Sequence, residues 1–326
     1  MVALEVTKRC NLSCLHCRAS SGPSPDVTEL SLPEWKRILQ DIRSFSSPTI
    51  ILTGGEPLLR DDLFDLIAFG TGLGLRMVLA TNGTLLDESM ARRLRQEGIR
   101  RVSLSLDGKD AASHDSLRGW KGSFESVMKA SEVMRREGLS FQINTTVTTM
   151  NAFELEDIYR LLFSIGASAW HLFFVVPVGR ASALKAKELD AQDYEAVLRW
   201  LRKREEEGRI ELKVTCAPHY NRVVKESGGE VKGGGCLAGR HFLFISHEGI
   251  AQPCGYLEVR SGNVREDGVR RVWEESEAFL KLRDLSSYKG KCGRCRYLSL
   301  CGGCRARAYE AYGDFLQEEP YCLFNP

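Results

Sequence analysis

The chain has 326 residues, of which 43% are hydrophobic and 27% charged, as in an ordinary globular protein. Its 45 basic and 43 acidic side chains give a net charge of +2, so the global charge indicates no nucleic-acid partner. The start of the chain lacks the charged-then-apolar order of a signal peptide, and no apolar run could span a bilayer. We therefore expect a cytoplasmic protein with no membrane partner.

Strand and helix patterns alternate along the chain up to residue 207. Short β-branched runs predict six strands, at Val2–Thr7, Thr49–Leu52, Leu75–Ala80, Arg101–Leu106, Ser140–Thr148 and Ala169–Val176. Helical periodicity predicts helices at Leu32–Arg43, Asp61–Thr71, Asp87–Gln96, Ser123–Arg136, Ala152–Ile165 and Ala191–Glu207. Six such units in series predict an α/β fold, a parallel sheet closed into a partial TIM-type barrel, with functional residues at the carboxyl ends of the strands.

The composition changes beyond residue 207, where glycine-rich stretches accompany eight of the eleven cysteines. A hairpin is predicted around residues 247–249 and a helix near Val269–Leu282. We predict a barrel domain over residues 1–207 and a small cysteine-rich domain over residues 208–326 whose order depends on metal. Because disulfides are rare in a reducing compartment, metal ligation or catalysis is the favoured role for so many cysteines.

Three cysteines, Cys10, Cys14 and Cys17, lie on one short loop in CNLSCLHC directly after the first predicted strand. Three thiolates can hold three corners of a 4Fe–4S cube, which leaves the fourth iron open to bind a reactive ligand. A Gly-Gly-Glu-Pro turn at residues 54–57 follows the second strand. With these two motifs in this order, the chain resembles the radical S-adenosylmethionine (radical SAM) superfamily.

The resemblance implies a 4Fe–4S cluster on Cys10, Cys14 and Cys17, with S-adenosylmethionine chelated to the open iron. One electron from the cluster would cleave the sulfonium, and the 5′-deoxyadenosyl radical so formed would abstract hydrogen from an unactivated carbon. A protein electron donor such as ferredoxin or flavodoxin would supply the electron.

The turn at residues 54–57 has an implied role in holding the cofactor. Glu56 would accept hydrogen bonds from the ammonium group of S-adenosylmethionine, a charge-assisted contact. Gly54 and Gly55 form the turn on which Glu56 is presented, and Pro57 would help to fix it.

Five further cofactor contacts are implied by the same resemblance. Ser105 and Asp107 correspond to the region that contacts the ribose, and Asn144 is a plausible second contact. Arg118 resembles an arginine that meets the cofactor carboxylate, and His16 occupies an aromatic position beside the adenine. For Asn144 and Arg118, a structural role is an equal alternative.

Seven cysteines after residue 235 form a second pattern: Cys236, Cys254, Cys292, Cys295, Cys301, Cys304 and Cys322. The pattern is similar to that of the SPASM domain, which carries auxiliary 4Fe–4S clusters beside a radical barrel. One spacing departs from the family, because two glycines stand where three residues usually separate Cys301 from Cys304. Paired CxxC elements are also typical of zinc ribbons, which is the alternative for these cysteines.

The remaining cysteine, Cys216, completes a count of eleven ligands if two auxiliary clusters are present. In fully ligated relatives, the first auxiliary cluster takes one cysteine upstream of the seven. The resemblance therefore implies two ligand sets, Cys216, Cys236, Cys254 and Cys304, and Cys292, Cys295, Cys301 and Cys322. Cys216 could instead be a substrate ligand, a hydrogen donor or a buried thiol.

The stretches WHLFFVVPVGRA, TCAPHY, GGGCLAG and GGCRARAYEAYGDFLQEEPYC resemble radical SAM enzymes that modify tetrapyrroles, the anaerobic haem b synthases above all. This implies oxidative decarboxylation of two propionates of iron-coproporphyrin III to vinyl groups, with an auxiliary cluster as electron acceptor. His219 or Tyr220 could bind a substrate metal. Substrate carboxylates would need cations, although a surface position is the favoured interpretation for any single candidate; the candidates are Arg18, Arg180, Arg222, Arg240, Arg305 and Arg307.

Three other functions are open. Sibling tetrapyrrole enzymes, the didecarboxysirohaem deacetylase or the enzyme that makes the haem of nitrite reductase, share these motifs. A peptide-modifying SPASM maturase is disfavoured, because the chain begins inside the first strand with no leader-binding domain ahead of it. A non-catalytic iron–sulfur electron carrier is disfavoured because carriers usually saturate every iron with protein ligands.

Overall fold

One nine-stranded sheet organises the structure, a computed structural model that describes residues 1–23 and 29–326. The strands are β1 (Val2–Glu5), β2 (Thr49–Thr53), β3 (Arg76–Thr81), β4 (Val102–Ser105), β5 (Phe141–Val147), β6 (Ala169–Phe174), β7 (Glu211–Thr215), β8 (Leu243–Ile245) and β9 (Ala251–Gln252). Their spatial order is β7-β6-β5-β4-β3-β2-β1-β8-β9. Every neighbouring pair is parallel except β8 and β9, so the predicted α/β fold with a parallel sheet is confirmed.

The described residues form thirteen helices, of which the first eight lie between strands and the last five follow the final strand. They are α1 (Leu32–Phe45), α2 (Leu63–Gly72), α3 (Glu88–Gln96), α4 (Ala111–Arg118), α5 (Ser123–Arg136), α6 (Leu155–Ile165), α7 (Ala191–Glu206), α8 (Tyr220–Glu226), α9 (Val264–Asp267), α10 (Val269–Glu275), α11 (Glu277–Arg283), α12 (Gly290–Gly293) and α13 (Arg305–Tyr312). Short 3-10 helices lie at Pro57–Leu59, Ala152–Glu154, Gly179–Lys187 and Leu285–Ser287. In the described part of the chain, no helix has the length and apolar character needed to cross a bilayer.

Alternation of residue type along the strands separates the core from a central cavity. On β5, Phe141, Ile143 and Val147 are buried against the helices, whereas Gln142 and Asn144 face inward. Successive side chains of a strand point to opposite faces, so polar residues at every second position line the inside of the barrel. The inner face is thereby free to bind ligands.

The sheet extends beyond the six predicted strands. Strand β7, at residues 211–215, pairs in parallel with β6, and β8, at residues 243–245, pairs in parallel with β1. The sequence ELKVT of β7 mixes charged and apolar residues because this edge strand is only partly buried, so it lacks the apolar run that marks the others. The domain boundary after residue 207 stays a prediction, while the sheet itself continues to residue 252.

The cysteine-rich part follows its predicted pattern with one change. Strands β8 and β9 form the predicted hairpin, with the turn at Ser246 and Gly249. The single helix predicted near Val269–Leu282 is two helices, α10 and α11, because the backbone is extended at Ser276.

Candidate functional site

A cavity of about 790 Å³ fills the lumen of the barrel. Its wall combines inward side chains of β1 to β7 with the loop at residues 10–17, called the cysteine loop below, and with parts of the cysteine-rich region. This volume lies in the upper range of small-molecule sites in proteins. The lumen can therefore hold a large ligand beside the cysteine loop.

Two glycines let the turn at residues 54–57 pack directly against the start of the cysteine loop. The Gly55 amide donates to the Thr7 carbonyl at 2.8 Å, and the Glu56 amide donates to the Arg9 carbonyl at 2.7 Å. A Cβ on Gly54 or Gly55 would collide with those same carbonyl oxygens. Both glycines also line the lumen, so the turn brings bare backbone to the cavity wall.

The thiols of Cys10, Cys14 and Cys17 all face the lumen. Burial raises the pKa of Cys10 to about 11 and also raises the pKa of Cys14. The sulfur atoms have donors nearby, the Leu12 amide at 3.4 Å from Cys10 Sγ and the Arg118 guanidinium at 3.8 Å from Cys14 Sγ. Protonated thiols with such donors are suited to metal, because binding displaces their protons and the N–H groups then stabilise the thiolates.

Glu56 is fully buried and lies behind the cavity wall. Its carboxylate accepts hydrogen bonds from the Leu58 amide at 3.0 Å, the Thr81 hydroxyl at 2.8 Å and the Asn82 amide at 2.8 Å. Burial raises its pKa to about 7, although these three donors oppose the shift. The structure therefore shows Glu56 holding the loop after β3, whose Asn82 side chain lies 3.9 Å from Cys10 Sγ. A direct contact with the cofactor ammonium stays a prediction. Pro57 is buried and begins a 3-10 helix.

Asp107 is also fully buried, and it holds two residues that reach the lumen. Its carboxylate pairs with Arg118 at 2.6 Å, lies 3.4 Å from His16 Nε2 and accepts the Thr146 amide at 2.7 Å. Burial lowers the pKa of His16 to about 4, so this ring is neutral. His16 Nδ1 and Arg118 Nε are buried without a hydrogen-bond partner among the described residues. These unsatisfied atoms at the cavity wall fit a polar ligand.

Ser105 and Asn144 lie side by side on the lumen wall. They are register partners on β4 and β5, and the Asn144 side chain accepts a hydrogen bond from Gln142 at 3.0 Å. Of the five residues outside the turn expected to contact the cofactor, Ser105, Asn144, His16 and Arg118 face the lumen, while Asp107 supports them from behind.

Four cysteines from distant parts of the chain converge on another part of the lumen wall and are called the first auxiliary set: Cys216, Cys236, Cys254 and Cys304. The thiols of Cys216 and Cys304 are hydrogen-bonded to each other. Burial raises the pKa of Cys236 and Cys254, and neighbouring thiolate charges raise it further. Cys216 has φ of 61°, a left-handed conformation that costs energy for a non-glycine residue and that is often found at functional sites.

The remaining four cysteines line a separate small cavity of about 20 Å³ and are called the second auxiliary set: Cys292, Cys295, Cys301 and Cys322. Backbone amides of Glu319, Tyr297 and Gly303 donate to three of the sulfur atoms at 3.3 to 3.4 Å. Gly302 and Gly303 have φ of 70° and 64°, so the two-residue spacing before Cys304 is accommodated by left-handed glycines. Among residues 1–23 and 29–326, no three ligand-type side chains converge at single-ion distances.

A buried ion pair between Arg307 and Glu319 joins the two auxiliary sets. Arg307 donates to the Cys216 carbonyl at 2.7 Å and lies 3.4 Å from the Glu319 carboxylate. Glu319 accepts the Cys304 amide at 2.8 Å, and its own amide donates to Cys292 Sγ. The guanidinium of Arg307 keeps the pKa of Glu319 below its usual range despite burial, which raises it.

Only two of the six arginines proposed for substrate binding line the lumen, Arg18 and Arg180. Arg222, Arg305 and Arg307 are buried among the carbonyls, carboxylates and thiols of the cysteine-rich part, and Arg240 donates to the Gly234 carbonyl. These four expectations were wrong because proximity to a motif in the sequence does not set the direction of a long side chain. Tyr220 lines the lumen, whereas His219 lines the small cavity of the second auxiliary set.

More cations than carboxylates line the lumen, although Arg18, Arg101 and Arg118 each pair with a carboxylate outside the lining. Among the described lining residues, two are carboxylates, Glu205 and Glu230, and seven are cations: Arg18, Arg76, Arg101, Arg118, Arg180, Lys213 and Lys232. Such a cavity favours an anionic ligand. Sequence reasoning missed Arg76, Arg101 and Lys213, although each occupies an inward position of a strand pattern.

Comparisons with known proteins agree with this architecture. Residues 4–162 match the model of the radical SAM superfamily, and residues 236–305 match SPASM, the iron-sulfur cluster-binding domain. The chain belongs to the radical SAM enzymes with a SPASM domain, which use 4Fe–4S clusters and S-adenosylmethionine. It is 45% identical to the AdoMet-dependent heme synthase of Methanosarcina barkeri, over all of this chain and 97% of the relative. The electron-carrier alternative is thereby set aside.

The chain is also similar to a second curated relative and to a solved structure. The Fe-coproporphyrin III synthase of the same organism, Methanosarcina barkeri, is 31% identical over all of this chain and 88% of its own length. The crystal structure of SuiB from Streptococcus suis bound to S-adenosylmethionine superposes with a TM-score of 0.80 at 18% identity. That match covers 99% of this chain and 77% of SuiB, and it shows the shared fold.

Proposed function

We propose that this enzyme oxidatively decarboxylates two propionates of iron-coproporphyrin III to vinyl groups and so makes haem b. The observation that carries the proposal is the cationic lumen beside the cysteine loop, in a chain that matches a heme synthase over its whole length. The substrate bears four carboxylates, and the cations that line the lumen are the complement that such an anion needs. The chain is 45% identical to the heme synthase of Methanosarcina barkeri but only 31% identical to the Fe-coproporphyrin III synthase of that organism. This difference favours heme synthesis over the activity of the second relative.

Each cysteine group has a proposed cofactor. Cys10, Cys14 and Cys17 would hold the 4Fe–4S cluster that binds S-adenosylmethionine, and the two auxiliary sets would each hold a further 4Fe–4S cluster. The buried thiols, the amide donors to sulfur and the left-handed Cys216 support these assignments. Ser105, Asn144, His16 and Arg118 would contact S-adenosylmethionine from the lumen wall.

Each reacting propionate loses a hydrogen atom, carbon dioxide and one electron. A hydrogen atom leaves the carbon next to the ring, and carbon dioxide and one electron then leave to give the vinyl group. When bound, the cluster and S-adenosylmethionine supply the radical that removes the hydrogen atom. A cluster on the first auxiliary set, at the lumen wall, would supply an acceptor for the electron. A low-potential protein such as ferredoxin or flavodoxin would reduce the first cluster.

Residues of the chain would place the reacting carbon. Arg18 and Arg180 are close to the cysteine loop, since Arg180 donates to the Cys14 carbonyl at 2.9 Å and Arg18 directly follows Cys17. A carboxylate bound between them would bring its propionate chain to the loop. Arg18 is itself held by Glu5 at 3.2 Å and by the ring of Phe244 at 4.3 Å, so its position is preorganised.

Anaerobic incubation with iron-coproporphyrin III tests the proposal. We expect the reconstituted, dithionite-reduced enzyme with S-adenosylmethionine to give a product that lacks two carboxyl groups by mass spectrometry. Enzyme without S-adenosylmethionine is the control. Unchanged porphyrin, together with turnover of didecarboxysirohaem, would assign the chain to a sibling activity instead.

Glu56→Gln is expected to raise the KM for S-adenosylmethionine at least about tenfold. The amide has one acceptor oxygen where the carboxylate has two, so one of the donors at Leu58, Thr81 and Asn82 would lose its partner and the wall beside Cys10 would shift. The measurement is the rate of 5′-deoxyadenosine formation against cofactor concentration.

A cofactor analogue without the amino group separates positioning from direct contact. If Glu56 binds the ammonium itself, the wild type should bind the analogue more weakly than it binds S-adenosylmethionine. The Glu56→Gln variant should then bind the analogue and S-adenosylmethionine with equal affinity. Equal weakening of both proteins would assign Glu56 a positioning role only. Glu125→Gln, on the exposed surface of α5, is the matched control.

A further inference from the structure

Three cations stand at the amino-terminal end of the lumen, away from the cysteine loop, and are called the cationic rim: Arg76, Arg101 and Lys213. Arg76 is the first residue of β3, Arg101 directly precedes β4, and Lys213 lies on β7. All three line the lumen. Arg101 reaches across β5 and β6 to pair with Glu211 on β7, which places the ends of β4 and β7 at one opening.

The rim has more positive charge than the protein around it neutralises. Among the described residues, neither Arg76 nor Lys213 has a carboxylate within 4.0 Å, the limit for an ion pair. Glu211 does pair with Arg101 at 3.1 Å, but it is 57% exposed, and such pairs contribute little stability. Desolvation lowers the pKa of Lys213, and the negative charge of Glu211 opposes that shift.

A polar ladder leads from the rim into the lumen. His171 is the register partner of Lys213, and its Nδ1 lies 2.8 Å from Gln142 Nε2, which also donates to Asn144. In this hydrogen-bond arrangement His171 Nδ1 accepts, so Nε2 carries the ring proton. That Nε2 is buried with no partner among the described residues. Beside the rim there is therefore one ring N–H that has no hydrogen-bond partner among the described residues.

The rim and the cysteine loop stand at opposite ends of the lumen. Strand β3 runs from Arg76 to Thr81, a rise of about 17 Å, and Asn82 beyond it lies 3.9 Å from Cys10 Sγ. In the proposed function, the two propionates that react must face the cysteine loop. Haem b keeps its other two propionates on the opposite edge of a rigid, planar macrocycle.

We propose that the cationic rim binds the two propionates that the reaction leaves intact, an inference that rests on the proposed function. Arg76 and Lys213 would each pair with a carboxylate, and Arg101 would exchange its exposed contact with Glu211 for the substrate. Because the macrocycle is rigid, anchoring one edge at the rim directs the opposite edge toward the cysteine loop. The rim thus determines which propionates are decarboxylated, and its residues position the substrate without touching the reacting atoms.

Binding of the product tests this inference independently of turnover. Haem b retains only the two propionates in question, and its dimethyl ester has both blocked. We expect the reconstituted Arg76→Gln and Lys213→Met variants each to bind haem b about tenfold more weakly than the wild type, as for loss of one charge-assisted contact. Absorbance titration under anaerobic conditions measures the affinity. The dimethyl ester should bind all three proteins equally.

Two control variants separate loss of a rim charge from a general effect of substitution. Arg37→Gln removes a charge from the exposed face of α1 and should bind haem b like the wild type, and Lys213→Arg should restore affinity. Equal binding of haem b by the wild type and both rim variants would overturn the inference, while conversion of iron-coproporphyrin III by the wild type would leave the proposed function intact. A wild type that neither binds nor converts iron-coproporphyrin III would overturn both.

Discussion

A Cys14→Ala variant is expected to lose reductive cleavage of S-adenosylmethionine by more than about 100-fold, beyond the range for residues that only support a metal ligand. Three thiolates hold the proposed cluster, and two cannot keep its fourth iron open for the cofactor. The measurement is 5′-deoxyadenosine formed by dithionite-reduced enzyme, alongside iron and sulfide content.

The neighbouring residue gives the matched control for this loss. Ser13 lies between two of the cysteines and its side chain is exposed, so Ser13→Ala should keep both iron and cleavage. Cleavage at the wild-type rate by Cys14→Ala would contradict the assignment of the cysteine loop. A parallel loss in Ser13→Ala would show that the loop had merely unfolded.

A Glu319→Ala variant is expected to lower the free energy of unfolding by about 3 kcal/mol, because it leaves the buried Arg307 with only the more distant carboxylate of Glu188, at 3.9 Å. The Cys304 amide would lose its acceptor at the same time. We also expect the variant to retain less iron after anaerobic reconstitution, since Glu319 contacts both auxiliary sets. Denaturant titration under anaerobic conditions measures the change in stability.

Two further variants test whether loss of the buried ion pair causes the change in stability. Glu310→Ala, on the exposed side of α13, should change stability by no more than about 0.5 kcal/mol. Glu319→Leu combined with Arg307→Met should recover part of the loss, because removing both members of a buried pair is less harmful than removing one. If Glu319→Ala were as stable as Glu310→Ala, the ion pair would not be what joins the two auxiliary sets.

The cysteine loop and the turn at residues 54–57 could be predicted from the sequence because their chemistry is local. Cys10, Cys14 and Cys17 are neighbours in the chain, so their spacing alone brings them together. The glycines of the turn are needed where one backbone touches another, and that need is visible in the residue type. For Cys216, only the family resemblance gave its partners, and its left-handed backbone is visible in the structure alone.

Residues whose role depends on strand register could not be placed from the sequence. Glu56 lies behind the wall because donors from the end of β3, twenty-five and more positions later, capture its carboxylate. Asp107 is held in the same way by Thr146 on β5. The inward cations of the rim could have been found, because Arg101 begins the alternation RVSLSL in which every second residue is polar.

The pairing of β1 with β8 has a consequence for how the protein is made. The ribosome makes the cysteine loop more than 200 residues before Leu243–Ile245, the strand that covers the second edge of β1. Until that segment emerges, β1 has an open edge, which exposes the nascent chain to misassociation. Its closure also joins distant parts of the chain, which makes it an entropically costly and slow contact. We therefore expect a chain that ends before residue 243 to carry the thiols of Cys10, Cys14 and Cys17 without the strand that completes the sheet beside them.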